Sequence, residues 1–309
     1  MIRRVRTLDI AVCTFGRPEL VVALVPELLR EADGLPQGLR ARVSIIDNDP
    51  AGSARDALDA TGDLDDERVH VVVEPEAGLA AARNRALAEA ASRDLLAFID
   101  DDERPSEGWL RSLVDLQTST GAAAVSGPVV SVFACQPEPL VAASPLFARG
   151  HRATGTRRES AATNNLLLDL HRVRELGLAF DPRFSFTGGE DTFFTRALVA
   201  GGGTIVWCDE AVVSEVVPPE RSTRDWVVAR ARRNGESWAW AQILSASSSQ
   251  RRALRARLAA RGVALVALHT VSAVVATSAQ QRARHRHGAA GGRGVLRAVR
   301  GRATQEYAR

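Results

Sequence analysis

Residues 95–104 read Leu-Leu-Ala-Phe-Ile-Asp-Asp-Asp-Glu-Arg, and this stretch decides the fold. A continuous apolar run bounded by charge predicts a strand that is buried in a parallel sheet. Three aspartates follow at its carboxyl end, where open α/β sheets bind their ligands. Carboxylate oxygens at that place favour a hard cation, Mg²⁺ or Mn²⁺, held together with substrate phosphates. A solvated acidic turn that caps the next helix is the alternative.

The composition is that of an ordinary globular protein. The chain has 309 residues, enough for one large domain or two small ones. All 40 basic side chains are Arg, and the net charge of +3 does not imply nucleic-acid binding. The three cysteines have no metal-binding spacing, which predicts a reducing cytosol. No apolar leader precedes the first predicted strand, so we expect no secretion.

A strand predicted at 8–13 leads into a loop that contains Thr14, Phe15 and Arg17. The strand–loop–helix order is typical of nucleotide sites, although the glycine-rich dinucleotide and P-loop patterns are both absent. The planar guanidinium of Arg17 suits a phosphate. An ordinary surface arginine is the alternative.

Two more predicted elements carry polar residues at their ends. The strand at 43–46 leads into Asp47 and Asn48, which could hydrogen-bond a base or ribose. A simple Asp/Asn turn would also explain them. In the helix predicted at 79–91, Arg83 lies near the positive end, where phosphates bind well. A solvated arginine is again the alternative.

A second acidic cluster, Glu190 and Asp191, follows two glycines at a predicted helix start. Helix capping alone would explain these carboxylates. Residues 136–162 have little periodicity and are predicted to form a long loop, which in a compact domain is often functional. The other periodic segments predict strands at 69–73, 122–125, 129–133, 166–168, 204–207 and 211–217, and helices at 18–30, 105–116 and 222–244.

The composition changes after residue 245, where a Ser-rich linker is predicted. Residues 263–279 are mostly apolar and predict a helix of about 25 Å, short for a clean membrane span. Arginines crowd both of its sides, which favours an interfacial helix on anionic lipid. The alternative is a helix packed on the main domain, with a solvated basic tail.

Five motifs in order resemble those of family 2 glycosyltransferases. They are Thr-Phe-Gly-Arg-Pro, Asp-Asn-Asp, Gly-Leu-Ala-Ala-Ala-Arg-Asn-Arg-Ala, Phe-Ile-Asp-Asp-Asp-Glu-Arg-Pro and Gly-Gly-Glu-Asp-Thr-Phe-Phe. The resemblance covers about residues 8–240, and residues 206–211 and 215–221 resemble the bacterial succinoglycan-biosynthesis type of glucosyltransferase. It implies an α/β GT-A fold, Rossmann-like, with a mainly parallel mixed sheet flanked by helices. We therefore expect a glycosyltransferase domain at 1–245 and an Arg-rich helical C-terminal extension at 246–309, for which membrane association is one alternative.

The resemblance also implies roles for the donor side of the site. Asp102 would be the metal ligand of a DXD motif. Its neighbours would hold ribose or metal-bound water, Asp47 would contact the base, and Arg83 would support the diphosphate. The donor-binding set is Thr14, Phe15, Arg17, Asp47, Asn48, Arg83, Asp100 and Asp101.

On the acceptor side, the resemblance makes Asp191 the general base and Glu190 the residue that positions the acceptor. Trp109 and Asn164 would lie near the acceptor or donor sugar. Glu215 stands where many members of the family carry a histidine, and is counted on the same side.

The implied reaction is an inverting, metal-dependent transfer of one hexose from a nucleotide-sugar donor, expected to be UDP-linked. The Gln-x-x-Arg-Trp signature of processive members is missing, which argues for a single addition. The expected acceptor is a cell-envelope glycan, with a lipid-diphosphate-linked glycan at the cytoplasmic face of the membrane as one form of it. The alternatives are a nucleotidyltransferase, a non-catalytic sugar-nucleotide-binding module, and a basic peripheral scaffold.

Overall fold

The computed structural model describes residues 5–147 and 151–302. Within them, the chain forms two compact units. The first unit contains residues 5–130, 151–185 and 190–215, and the second contains 131–147, 186–189 and 216–302. The predicted boundary after residue 245 therefore falls inside the second unit. As a functional division, 1–245 and 246–309 stays a prediction.

Eight strands form the main sheet, in the order β3-β2-β1-β4-β9-β6-β10-β8. The four strands from β3 to β4 are parallel, β6 and β10 are also parallel, and β9 and β8 run antiparallel to their neighbours. This is the mainly parallel mixed sheet that was predicted. The strands are β1 Arg6–Thr14, β2 Leu39–Asp47, β3 Val69–Val73, β4 Leu95–Asp100, β5 Glu103–Pro105, β6 Ala124–Ser126, β7 Val129–Phe133, β8 Arg157–Arg158, β9 Asn165–Asp169, β10 Ile205–Trp207 and β11 Val213–Val217.

Helices cover both faces of this sheet. Leu8, Ile10 and Val12 of β1 pack in one core cluster with apolar residues of α1 and α4, whereas Ala11 packs in a second cluster with residues of α3 and α7. Burial on both faces explains why the central strands are continuous apolar runs. The helices are α1 Pro18–Asp33, α2 Ser53–Thr61, α3 Leu79–Glu89, α4 Trp109–Thr120, α5 Pro139–Ala142, α6 Leu170–Glu175, α7 Glu190–Ala200, α8 Arg224–Ser245, α9 Arg251–Val275 and α10 Ala279–Val299.

A second sheet has the order β5-β11-β7. Strand β5 was not predicted, because its three residues lack an apolar pattern and follow directly on the acidic run. It pairs antiparallel with β11, which places Glu103 opposite Glu215. The predicted loop at 136–162 contains the short elements α5 and β8, and part of it lies outside the described residues.

Helices α8 and α9 both pack against α10 in the second unit. Close packing needs glycine at two positions of α10, because a Cβ on Gly294 would overlap the Arg232 carbonyl of α8 and one on Gly292 would crowd Leu265 of α9. The helix predicted at 263–279 is longer at its start and shorter at its end. Arg- and Ala-rich residues extend α9 back to Arg251, and a capping box at Ser278 begins α10.

Candidate active site

The carboxyl ends of three neighbouring parallel strands meet at one edge of the main sheet. Strand register places Thr14 of β1 beside Asp47 of β2, and Cys13 of β1 beside Asp100 of β4. Because the strands are parallel, the polar residues that follow each apolar run lie along the same edge. The first unit therefore gathers the predicted donor-side residues at the sheet's carboxyl edge.

Thr14 and Arg17 both contact the acidic run after β4. The Thr14 hydroxyl donates to Asp101 Oδ2 at 2.7 Å. The guanidinium of Arg17 lies 2.7 Å from Asp101 Oδ1 and 3.3 Å from Asp102 Oδ2. Asp101 is fully buried, while Arg17 and Asp102 keep part of their surface in solvent. The first loop and the acidic run thus form one polar surface.

Burial makes ionisation of the carboxylates on this surface energetically costly. Desolvation raises the pKa of Asp101 to about 6, against the lowering effects of Arg17 and the Thr14 hydrogen bond. The pKa of Asp100 is also raised, chiefly by burial and further by Asp102 and Asp191, while Arg83 and Arg17 lower it. Both shifts mean that the ionised carboxylates are poorly compensated by the cationic side chains around them.

The second acidic cluster reaches the same site. The charge of Asp191 acts on the pKa of Asp100, although the two residues are far apart in the sequence. The segment before α7 is tied to α3, since Asn84 exchanges two 2.8 Å hydrogen bonds with the Phe180 backbone and Leu79 N donates to Ser185 O at 3.1 Å. These bonds hold the start of α7 near the strand ends.

Arg83 and Glu190 form a buried ion pair, which the sequence did not predict. Both side chains are almost entirely out of solvent. Within the described residues, the second carboxylate oxygen of Glu190, Oε2, is buried without a hydrogen-bond partner. Arg83 therefore bridges the two acidic clusters, because its charge also lowers the pKa of Asp100.

Asp47 and Asn48 organise the loops at the same edge. Asp47 is buried and accepts hydrogen bonds from the backbone N–H groups of Asp49 at 3.0 Å and Ala54 at 2.8 Å. The Asn48 amide donates to Glu74 O at 2.8 Å and accepts from Gly78 N at 3.0 Å. The turn alternative accounts for these bonds, and contact with a base stays a prediction. Phe15 exposes 44% of its surface.

Trp109 was expected near a sugar, and the structure places it elsewhere. It is fully buried in the core, and its indole N–H donates to Asn165 Oδ1 at 2.9 Å. Trp109 is the first residue of α4. Its indole ring packs in a core cluster with residues of the main sheet, because burial of a large apolar ring is strongly stabilising. This position gives the ring no exposed surface for a sugar.

Glu103 is the residue that sequence reasoning missed. Its carboxylate accepts from Asn164 Nδ2 at 2.8 Å and from the Asp100 backbone N–H at 3.1 Å. The pairing of β5 and β11 sets Glu215 opposite it. Asn164 and Glu215 are therefore linked to the acidic run through buried Glu103. The only sequence signal was a fourth acidic residue after three aspartates. Its role becomes clear only from the register of β5 and β11.

The described residues contain no group of three or more His, Cys, Asp or Glu side chains arranged to hold a metal ion. Within those residues, protein side chains at this edge therefore do not supply a complete set of metal ligands. Mg²⁺ typically uses one or two carboxylates and completes its shell with water and substrate phosphates. The partly exposed Asp102, beside two poorly compensated aspartates, fits that kind of site.

Comparisons with known proteins show the family that this chain is similar to. The model of the family described as Glycosyl transferase family 2 matches residues 9–161. The succinoglycan biosynthesis protein ExoM of Rhizobium meliloti (strain 1021) is 36% identical over 241 residues, which cover 74% of this chain and 73% of that protein.

Solved structures share the fold at low sequence identity. A mannosyltransferase, PcManGT from Pyrobaculum calidifontis, in complex with GDP-Man and Mn²⁺, has a TM-score of 0.63 at 18% identity, over 94% of this chain and 86% of that one. GalNAc-T7 with UDP, GalNAc and Mn²⁺ has a TM-score of 0.57 at 14% identity, over 82% of this chain and 54% of that one.

Proposed function

The chain belongs to glycosyl transferase family 2 and is a glycosyltransferase with the GT-A fold, as its motifs predicted, and we propose the reaction that it catalyses. It transfers one hexose from a nucleotide-sugar donor, UDP-linked, to an acceptor hydroxyl with inversion of configuration. The observation that carries this proposal is the convergence of the two acidic clusters: Arg83 forms an ion pair with Glu190 of the second cluster, and the charges of Arg83 and Asp191 both act on Asp100 of the first.

The donor side of the proposal rests on the carboxyl edge of the sheet. Thr14, Phe15 and Arg17 flank the place where a nucleotide would lie, with Asp47 and Asn48 at the next strand end. Arg17 contacts Asp101, and the charge of Arg83 acts on Asp100, so both arginines would interact with a diphosphate. Asp100 and Asp101 would hold ribose or metal-bound water.

A divalent cation, Mg²⁺ or Mn²⁺, would be held by Asp102 and the donor diphosphate. Both solved relatives described above contain Mn²⁺. Such an ion supplies Lewis-acid stabilisation of the charge on a leaving diphosphate. Arg17, which lies beside Asp101 and Asp102 here, would add a fixed positive charge for the same purpose.

Asp191 is the proposed general base. Its carboxylate takes the proton of the acceptor hydroxyl while that oxygen forms a bond to the anomeric carbon. The bond from the anomeric carbon to the diphosphate oxygen breaks on the opposite face, and the nucleoside diphosphate leaves with its electron pair. The unpartnered Oε2 of Glu190 supports a role in accepting a hydrogen bond from the acceptor. Asn164 and Glu215, which Glu103 links to the acidic run, would face the sugar between the two clusters.

The test is Asp191→Asn in the full chain, compared with Asp115→Asn on the exposed face of α4. We expect Asp191→Asn to lower transfer by about 10²–10⁴-fold, because the base is lost while the shape is kept. Donor binding, followed as thermal stabilisation by UDP-sugar and Mn²⁺, should persist. Full transfer by Asp191→Asn would remove the assigned base. Release of pyrophosphate in place of nucleoside diphosphate would instead favour a nucleotidyltransferase.

We place the acceptor among envelope glycans, since the curated relative is a succinoglycan biosynthesis protein. A lipid-diphosphate-linked glycan at the cytoplasmic face would match the Arg-rich C-terminal region, which provides a peripheral attachment there. Nucleic acid is not a proposed partner, because the net charge is only +3. Extracted lipid-linked glycans, offered with a panel of nucleotide sugars, would identify the acceptor by radiolabel transfer.

A further inference from the structure

Helix α9 exposes an apolar face along its C-terminal half. Among the described residues it is the one helix long and apolar enough to cross a membrane by length and composition, yet only 11% of its apolar window is buried. A core helix of a soluble protein would have most of that surface covered. Five large apolar side chains are exposed here: Val263, Leu268, Val271, Val274 and Val275.

Helix α10 covers the opposite face of α9 and runs antiparallel to it. Gly262 of α9 packs against Leu296, Leu265 packs against Gly292, and His269 packs against Gly288. The apolar half of α9 is therefore flanked by the N-terminal half of α10. That half carries two exposed arginines, Arg284 and Arg286.

The stretch of sequence that contains this face carries only positive charge. No acidic residue occurs between Glu236 and Glu306. Four exposed arginines precede the apolar half of α9 along the helix, and with Arg284 and Arg286 they frame it at both ends. They are Arg251, Arg252, Arg257 and Arg261.

We propose that this face of α9, Val263 to Val275 with its flanking arginines, is a docking surface for an anionic phospholipid bilayer. The valines and Leu268 enter the boundary between head groups and acyl chains, and the guanidinium groups bind lipid phosphates. This deepens the peripheral location proposed above, and it rests on that function for its link to a lipid-linked acceptor.

The packing of α10 makes the helix interfacial rather than spanning. If α9 crossed the bilayer, its antiparallel partner would carry Arg284 and Arg286 into the hydrocarbon, where unpaired charge is costly. Lying in the interface, α9 buries one face while these arginines extend to the phosphates. Arg282 donates to the carbonyls of Ala276 and Thr277, which directly follow α9, and this places a positive charge at that end of the helix.

The experiment is co-sedimentation of the full chain with vesicles of phosphatidylcholine alone, or mixed with phosphatidylglycerol. We expect binding only to the mixed vesicles, weakening as salt is raised. Val271→Gln/Val274→Gln should weaken binding by about tenfold or more, because two apolar side chains lose their burial. Arg284→Gln/Arg286→Gln should weaken it by about fivefold for each arginine removed.

The matched control is Val132→Gln/Val216→Gln, which alters two exposed valines that lie outside the helices. It should bind mixed vesicles as the unaltered chain does. All substituted side chains are exposed, so each variant should keep its fold, which circular dichroism checks.

Three results would overturn the proposal: undiminished binding by Val271→Gln/Val274→Gln, equal binding to neutral vesicles, or resistance of the bound chain to alkaline carbonate extraction. A dimer in light scattering that the same valine substitutions dissolve, without vesicle binding, would assign the face to a second copy instead. Donor binding is measured without vesicles, so failure of the proposed reaction and failure of this surface are separate results.

Discussion

The acidic edge of the sheet and the α9–α10 pair handle charge in opposite ways. At the sheet edge, the nearby arginines compensate the buried aspartates only in part, and the pKa values of Asp100 and Asp101 are therefore raised. Around α9, arginines stand exposed with no acid nearby in the sequence. Buried charge of one sign needs a specific counterion, whereas exposed charge of one sign needs only an oppositely charged surface. The first pattern suits a substrate site and the second a membrane.

The buried pair of Arg83 and Glu190 gives the largest expected effect. Arg83→Met leaves the Glu190 carboxylate buried without its partner, so we expect a loss of about 3–5 kcal/mol in the free energy of unfolding. Arg85→Met, which breaks a partly exposed pair with Glu89 on the same helix, should cost less than about 1 kcal/mol. Urea unfolding measures both. Similar losses in the two variants would mean that the Arg83 pair adds no more than a surface contact.

Asp102→Asn tests the role of the acidic edge in transfer and metal binding. It keeps the shape of the side chain and removes one carboxylate, so we expect transfer to fall about 10²–10³-fold. Stabilisation of the fold by Mn²⁺ with nucleoside diphosphate should fall as well. Asp56→Asn on α2 serves as the control. Unchanged Mn²⁺ dependence in Asp102→Asn would move the cation elsewhere.

Close packing of α8 against α10 in the second unit predicts an effect of intermediate size on stability. Gly294→Ala drives a Cβ into the Arg232 carbonyl, and we expect a loss of about 1–3 kcal/mol in stability of the second unit. Gly291→Ala, on the same helix, meets nothing nearer than 3.8 Å. It should be neutral or slightly stabilising, because alanine favours helix. Hydrogen exchange in α8 and α10 reports the difference, and equal protection in both variants would contradict the packing.

The smallest expected effect is a loss of stability at low pH. Burial lowers the pKa values of His269 and His287 below the ordinary value of 6.5. As pH falls below that value, the unfolded chain takes up protons before the folded one. The stabilisation present above pH 6.5 is therefore lost as pH falls through the folded pKa values. The protection factors of amides in α9 and α10, corrected for the intrinsic pH dependence of exchange, should fall in acid, and His269→Gln/His287→Gln should flatten this dependence. An equally steep response in the double variant would contradict it.

Local patterns predicted much of the fold. Strands β3 and β7 have their predicted bounds, because each is a compact run of apolar, β-branched residues with clear flanks. Strand β5 was not predicted, since its sequence Glu-Arg-Pro has no apolar pattern and pairs only because β11 lies beside it. The site residues were named from motifs, but Glu103 was not, as its importance comes from its contacts with Asn164 and the Asp100 backbone.

The amino-acid sequence by itself determined the parallel strands, the polar ends that follow them, and the acid-free arginine surface around α9. These depend on the order and spacing of neighbouring residues. Only the tertiary structure decided that Arg83 meets Glu190, that Asp191 acts on Asp100, and that Trp109 belongs to the core. Each of those outcomes joins residues that are distant in the chain. They follow from how α3, α4 and α7 dock on the sheet, which no local pattern specifies.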